Sequence, residues 1–203
     1  MRCDRLFDLN RPFTLGIVAD VINSFNSRVT VVEPHSLRTI EEIKNCLPNY
    51  TSLQAACIFE NNGYKLVAPD KGAKERYPLD FAVECSKKRD VSTGKLLDFE
   101  VTEIESVKGQ DIVVVDDLCD GGGTFIGLAS KLRELKPNSL SLFVTHMVNK
   151  EGIERVVKAY DHVYYTDSYN LGGYLRTTTI KVDEIEKLEE RVQELKLLLN
   201  HGK

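Results

Sequence analysis

The chain has no CxxC pair, and its five cysteines (Cys3, Cys46, Cys57, Cys85 and Cys119) are odd in number and scattered. That pattern argues against a structural zinc site or a disulfide framework, and for a reducing, cytoplasmic setting. No apolar run approaches the roughly 20 residues that span a bilayer, so no membrane partner is expected. The opening Met1-Arg2-Cys3-Asp4-Arg5 lacks the apolar core of a secretory signal. Excess positive charge is also missing. Against 31 Asp and Glu there are 27 Lys and Arg, a formal net charge of -4, which gives no global basic field for nucleic acid. Internal repeats and low-complexity tracts are absent too. What is present is ordinary for a globular protein: 203 residues, 42% hydrophobic and 29% charged, enough for one large domain or two small ones.

Short apolar runs stand at Val29–Val32, Leu66–Ala68, Phe81–Val83, Ile112–Val115, Leu140–Val144 and Val163–Tyr165. They are continuous rather than alternating, as in strands buried on both faces of a parallel sheet. Helical periodicity falls between them over Phe13–Phe25, Phe125–Leu135 and Glu151–Tyr160, with Pro137 closing the second. The alternation predicts an α/β fold, a parallel sheet flanked by helices. Polar and titratable residues gather after the runs: Glu33-Pro34-His35, Pro69-Asp70-Lys71-Gly72, Ser86-Lys87-Lys88-Arg89, Thr145-His146 and Thr166-Asp167-Ser168. Open parallel sheets bind ligands at those ends.

The most telling of these ends is Val113-Val114-Val115-Asp116-Asp117-Leu118-Cys119-Asp120-Gly121-Gly122-Gly123-Thr124. Glycines let backbone N–H groups approach an anion, and a following helix turns its positive end to the same place. Asp116 and Asp117 repel a phosphate but accept hydrogen bonds from two neighbouring sugar hydroxyls. The order therefore suits a sugar phosphate. A Walker loop is excluded because no lysine follows the glycines, and a GxGxxG fingerprint fails at Ile126. The acids also lack the alternating spacing of an EF-hand. Cys119, set among acids, reads as packing rather than as a nucleophile.

Two further segments stand out. Lys87–Gly94 is polar and positive and ends in glycine, which predicts a mobile loop able to fold over phosphates. Over Val182–Leu199, Ile185, Leu188, Val192, Leu195 and Leu199 repeat at three- and four-residue spacings. That predicts an amphipathic helix, which either packs on its own domain or makes a short coiled-coil dimer contact.

Asp116–Thr124 resembles the phosphoribosyl diphosphate (PRPP) loop of type I phosphoribosyltransferases. The wider set is closer to the ribose-phosphate pyrophosphokinase (PRPP synthetase) family. Val31-Val32-Glu33-Pro34-His35-Ser36 is similar to that family's strand ending in Asp-x-His-Ser, and Pro69-Asp70-Lys71-Gly72 to its diphosphate loop. Ser86-Lys87-Lys88-Arg89 resembles its catalytic loop, Thr145-His146 its Thr-His, and Arg2-Cys3-Asp4-Arg5 the end of its ATP-binding segment.

The resemblance implies a type I phosphoribosyltransferase-like (Rossmann-like) fold and transfer of diphosphate from ATP to ribose 5-phosphate, giving PRPP and AMP. By the same resemblance, Lys87 and Arg89 are catalytic. Asp116, Asp117, Asp120, Gly121, Gly122, Gly123 and Thr124 bind the sugar phosphate. Arg2, Asp4, Arg5 and His35 meet ATP, and His35 and Asp70 meet Mg²⁺. The implied organisation is a remnant of a first domain over residues 1–60, a phosphoribosyltransferase-like domain over 61–175, a strand and helix tail over 176–203, and a homo-oligomeric assembly. The family continues further in front of Arg2, so a non-catalytic partner of a full-length enzyme is a competing expectation. A phosphoribosyltransferase using PRPP, or a pyrophosphokinase acting on a larger ribose phosphate such as ADP-ribose, are others. Glu33 and Ser86 stand where the family has aspartate, and Gly121-Gly122 where it has Thr-Ala or Thr-Gly.

Overall fold

The most apolar runs form the middle of a sheet. In the computed structural model, residues 13–77, 79–89, 96–169 and 177–180 are described. Their contacts divide the chain between Tyr50 and Thr51 into two units.

The first unit holds α1 (Thr14–Ser24), β1 (Val29–Val32), α2 (Leu37–Glu42) and β2 (Cys46–Asn49). The two strands pair in parallel, Val29 opposite Cys46 and Val32 opposite Asn49. Ser36 caps α2 by accepting from the Arg38 N–H at 3.3 Å. Asn23, at the end of α1, donates to the Glu42 carbonyl at 2.9 Å and accepts from the Lys44 N–H at 2.7 Å. That one side chain joins the two helices.

The second unit runs α3 (Thr51–Asn61), β3 (Lys65–Ala68), α4 (Lys71–Arg76), β4 (Val83–Arg89), β5 (Leu96–Glu103), β6 (Asp111–Cys119), α5 (Gly123–Glu134), β7 (Ser139–Met147), α6 (Lys150–Val156), β8 (His162–Thr166) and β9 (Thr177–Ile180). Its sheet has the order β5-β4-β3-β6-β7-β8-β9. Every pairing is parallel except β4 with β5. The expected α/β architecture is therefore present, with one antiparallel ribbon at its edge.

Side-chain alternation on the central strands feeds two cores. Ile112, Val114, Leu140, Leu142 and Val144 pack with Phe125, Leu128, Leu132, Ile153 and Val156 of α5 and α6. The intervening Phe143 meets Phe59 of α3, ring centroids 6.1 Å apart. Strands buried on both faces must read as continuous apolar runs, which is why β3, β6, β7 and β8 stand out in the sequence.

The differences have physical reasons. Phe81 and Ala82 precede β4 instead of starting it, and β6 and β7 run on through Asp116-Asp117 and Thr145-His146. Lys87, Lys88 and Arg89, expected in a loop, continue β4 opposite β5, with a register shift between Lys88 and Arg89. β5 alternates, burying Phe99 between exposed Asp98 and Glu100 as an edge strand does. β2 contains Pro48, which a two-stranded edge tolerates. The expected tail helix over Val182–Leu199 lies outside the described residues. Among the described residues no helix is long and apolar enough to cross a membrane.

Leu142 is fully buried at the centre of β7. Leu142→Ala should cost about 2–5 kcal/mol of stability, read as a lower denaturant midpoint with little change in slope. An unchanged midpoint would contradict this placement of the core.

Candidate functional site

β6 enters the sheet between β3 and β7 and ends in Asp116-Asp117-Leu118-Cys119. Asp116 and Asp117 are both buried among polar partners rather than displayed on a loop. The Asp116 carbonyl accepts from the Ser52 hydroxyl at 2.8 Å, and Ser52 also bonds Thr145 of β7 at 2.8 Å. Ser52, near the start of α3, thus ties together the carboxyl ends of two neighbouring strands. The Asp117 N–H donates to Asp116 Oδ1 at 2.9 Å, fixing one carboxylate against the next peptide.

The counter-charge comes from α4. Asp70 caps this helix, its Oδ1 accepting from the Ala73 N–H at 3.0 Å. Arg76, the last residue of α4, reaches Asp117 Oδ2 with Nη1 at 3.0 Å and Asp116 Oδ1 at 3.7 Å. The Arg76 side chain is 13% exposed, and those of Asp116 and Asp117 are 12% and 9% exposed, so solvent screens the cluster weakly. Arg76 Nη1 also donates to the Tyr77 hydroxyl at 3.3 Å, and the guanidinium lies 5.4 Å from the Tyr77 ring centroid. Burial, and then the neighbouring Asp117, push the Asp116 carboxyl well above the ordinary aspartate range. Arg76 sits closer to Asp117, so it does not offset this at Asp116.

The glycine segment follows. Gly122 stands before α5 with φ 71°, a left-handed conformation that glycine adopts without strain. A Cβ there would lie 2.9 Å from Val156 Cγ1. Helix α6 braces the whole turn. Asn149 Nδ2 donates to Asp120 Oδ1 at 3.1 Å, and Arg155 Nη1 donates to the Gly121 carbonyl at 2.8 Å. Gly152 lets the two backbones touch, since a Cβ at that position would lie 1.8 Å from the Asp120 carbonyl oxygen. Thr124 lies in the first turn of α5, partly exposed. Cys119 is fully buried beside the turn, and burial, with Asp120 and Asp116, pushes its thiol up to about 12. It is packing, as its setting among acids predicts.

The structure thus brings Asp116, Asp117, Asp120, Gly121, Gly122, Gly123 and Thr124 together on one strand-to-helix junction, and Arg76 links Asp116 and Asp117 to the helix that Asp70 caps. His35 is exposed in the first unit, after Glu33, whose φ is 56°. The backbone of Lys87 and Arg89 lies at the far end of β4. Arg2, Asp4 and Arg5 lie outside the described residues, as do the side chains of Lys87 and Arg89. Sequence reasoning missed Arg76, Ser52, Asn149, Gly152 and Arg155. Of these, Gly152 carried a readable signal, because an isolated glycine in a helical pattern marks a close backbone approach.

An acidic strand end thus turns through glycines into a helix on a mostly parallel sheet. Residues 76–171 match the family model described as the phosphoribosyl transferase domain. Among curated proteins, the chain is 28% identical over 178 residues to the ribose-phosphate pyrophosphokinase of Pyrococcus furiosus, covering 82% of this chain and 62% of that protein. It is 29% identical over 176 residues to the enzyme of the same name from Pyrococcus abyssi, covering 82% and 61%. For the one from Hyphomonas neptunium the figures are 26% over 204 residues, covering 92% and 64%. A solved structure of phosphoribosylpyrophosphate synthetase from Mycobacterium smegmatis has the same fold, with TM-score 0.68 and 19% identity over 93% of this chain and 68% of that one. The chain is similar to these ribose-phosphate pyrophosphokinases and spans about three-fifths of their length.

Two outcomes follow from the geometry. Gly152→Ala should force α6 away from the Asp120 carbonyl and lower the melting temperature by several degrees. An unchanged melting temperature would show that the turn does not depend on this contact. Asp116 has a folded pKa above its value of 3.8 in the unfolded chain, so the protonated form favours folding. The associated stability is complete below about pH 4 and is lost as pH rises through the folded pKa. Asp116→Asn should therefore be more stabilising, relative to wild type, at pH 8 than at pH 4. Equal differences at both pH values would refute the shift.

Proposed function

We propose that this protein is a PRPP synthetase-like pyrophosphokinase that transfers diphosphate from ATP to ribose 5-phosphate, giving PRPP and AMP. The observation that carries this reading is the junction itself. A buried acidic pair and a braced glycine turn adjoin one another, within a chain whose kinship to ribose-phosphate pyrophosphokinases extends over most of its length. In this proposal the amides of Gly121–Gly123 and the Thr124 hydroxyl hold the 5-phosphate at the start of α5. Asp116 and Asp117 take the ribose diol, and Asp120, held by Asn149, shapes the turn between them.

Among the described residues no three His, Cys, Asp or Glu converge as a metal cage. Magnesium does not need one, because it uses one or two carboxylates and completes its shell with water and substrate phosphates. Asp70 would supply a carboxylate, and the ion would neutralise phosphate charge. Lys87 and Arg89, at the end of the β4–β5 ribbon, would add positive charge as the β-phosphorus is attacked. Arg2, Asp4 and Arg5 would meet the nucleotide, from a neighbouring subunit if the chain forms a homo-oligomer.

Incubation with ATP, Mg²⁺ and ribose 5-phosphate should release AMP only when the sugar is present, with PRPP visible by phosphorus NMR. Sugar-independent AMP, or none, refutes the proposal. PRPP consumption in the presence of a nucleobase would instead support a phosphoribosyltransferase, the second reading that the family model at 76–171 favours. Lys87→Ala should lower turnover at least about a hundredfold, roughly 3 kcal/mol in the barrier, and leave sugar-phosphate binding within about twofold. Collapse of binding instead would assign Lys87 a ground-state role.

A further inference from the structure

The acidic pair is built with its own cation, and this bears on which sugar it accepts. Asp116 and Asp117 are consecutive, buried and of like charge, so each tends to turn away from the other or take up a proton. Arg76 Nη1 lies within 3.7 Å of an oxygen of each. It has a further anchor besides the acids. The Tyr77 hydroxyl accepts from the same nitrogen at 3.3 Å, Tyr77 is 1% exposed, and Asp70 caps the helix that ends in Arg76. A guanidinium is planar, always charged and purely a donor, so it fixes the carboxylates that it bridges.

Building on the sugar-phosphate reading above, we infer that Arg76 is a positioning residue that makes the Asp116–Asp117 pair selective for an intact ribose diol over a 2-deoxyribose. A diol offers two hydroxyls at a fixed spacing. Asp117 is bonded to Arg76, and Asp116 is held by the Asp117 N–H beside the same guanidinium, so the two acids stay at a fixed spacing, whereas a pair without the arginine adapts to a single hydroxyl. The glycine turn takes no part in this choice, because its supports come from α6 through Asn149, Gly152 and Arg155. Diol selection and phosphate affinity are therefore separable.

The test is calorimetry of ribose 5-phosphate, 2-deoxyribose 5-phosphate and inorganic phosphate on wild type, Arg76→Met and Arg76→Lys. Wild type should prefer the ribose compound by about tenfold or more, the worth of one charge-assisted hydrogen bond. In Arg76→Met the preference should fall to within about twofold, with phosphate affinity unchanged. Arg76→Lys, which keeps the charge but loses the planar fork, should fall between the two, and it carries the test alone should the methionine variant not fold. A preference that survives in both variants overturns the inference while leaving the sugar-phosphate reading intact. So does a parallel loss of phosphate affinity in a folded variant, which would make Arg76 merely structural. Wild type that binds neither sugar phosphate overturns the sugar-phosphate reading, and the inference with it.

Discussion

Two adjacent carboxylates at the end of a strand buried in a sheet are unfavourable unless something offsets their charge. Desolvation penalises each, and each penalises the other. At Asp117 the offset is the Arg76 guanidinium at 3.0 Å, delivered by a helix that Asp70 caps, while Asp116, 3.7 Å from the same nitrogen, stays above the ordinary aspartate range. Removing one partner of a buried pair usually costs about 3–5 kcal/mol, because it strands the other charge. The arrangement is tolerated because the surrounding sheet is rigid: β6 is paired along its length with β7, and Ser52 pins both strand ends.

Work at the junction is divided among elements. The strand supplies acids, α5 supplies backbone donors, and α6 supplies shape. While Ile153 and Val156 of α6 join the core, its contacts that shape the turn are small. They are one amide-to-carboxylate bond, one arginine-to-carbonyl bond and one glycine at van der Waals limits. Small groups at close approach hold a backbone turn more tightly than bulky side chains would, because two main chains then face each other directly. The β4–β5 ribbon is of another kind. It is antiparallel, at the sheet edge, and its register shifts between Lys88 and Arg89.

Legibility followed burial. β3, β6, β7 and β8 are readable as apolar runs because strands covered on both faces have no solvent side to mark with polar residues. β5 hid because a half-exposed edge strand alternates, and α2 and α4 hid because six-residue helices are too short to show a period. Asp116–Thr124 was visible because acids beside glycines are costly to place without purpose. Arg76 was not, since in Lys71-Gly72-Ala73-Lys74-Glu75-Arg76 it looks like any other surface charge.

The sequence alone determined the α/β class, the continuous core strands and the chemistry available at the end of β6, because these depend on local composition and on which residues sit next to one another. Tertiary structure alone decided that the acids lie within the strand rather than beyond it, and that Arg76 answers them. It also decided that α6 supports the glycine turn. Those facts depend on residues 29 to 41 positions apart meeting in space. Charge pairing and backbone contact act over a few ångströms, and only the order of strands in the sheet brings such residues that close.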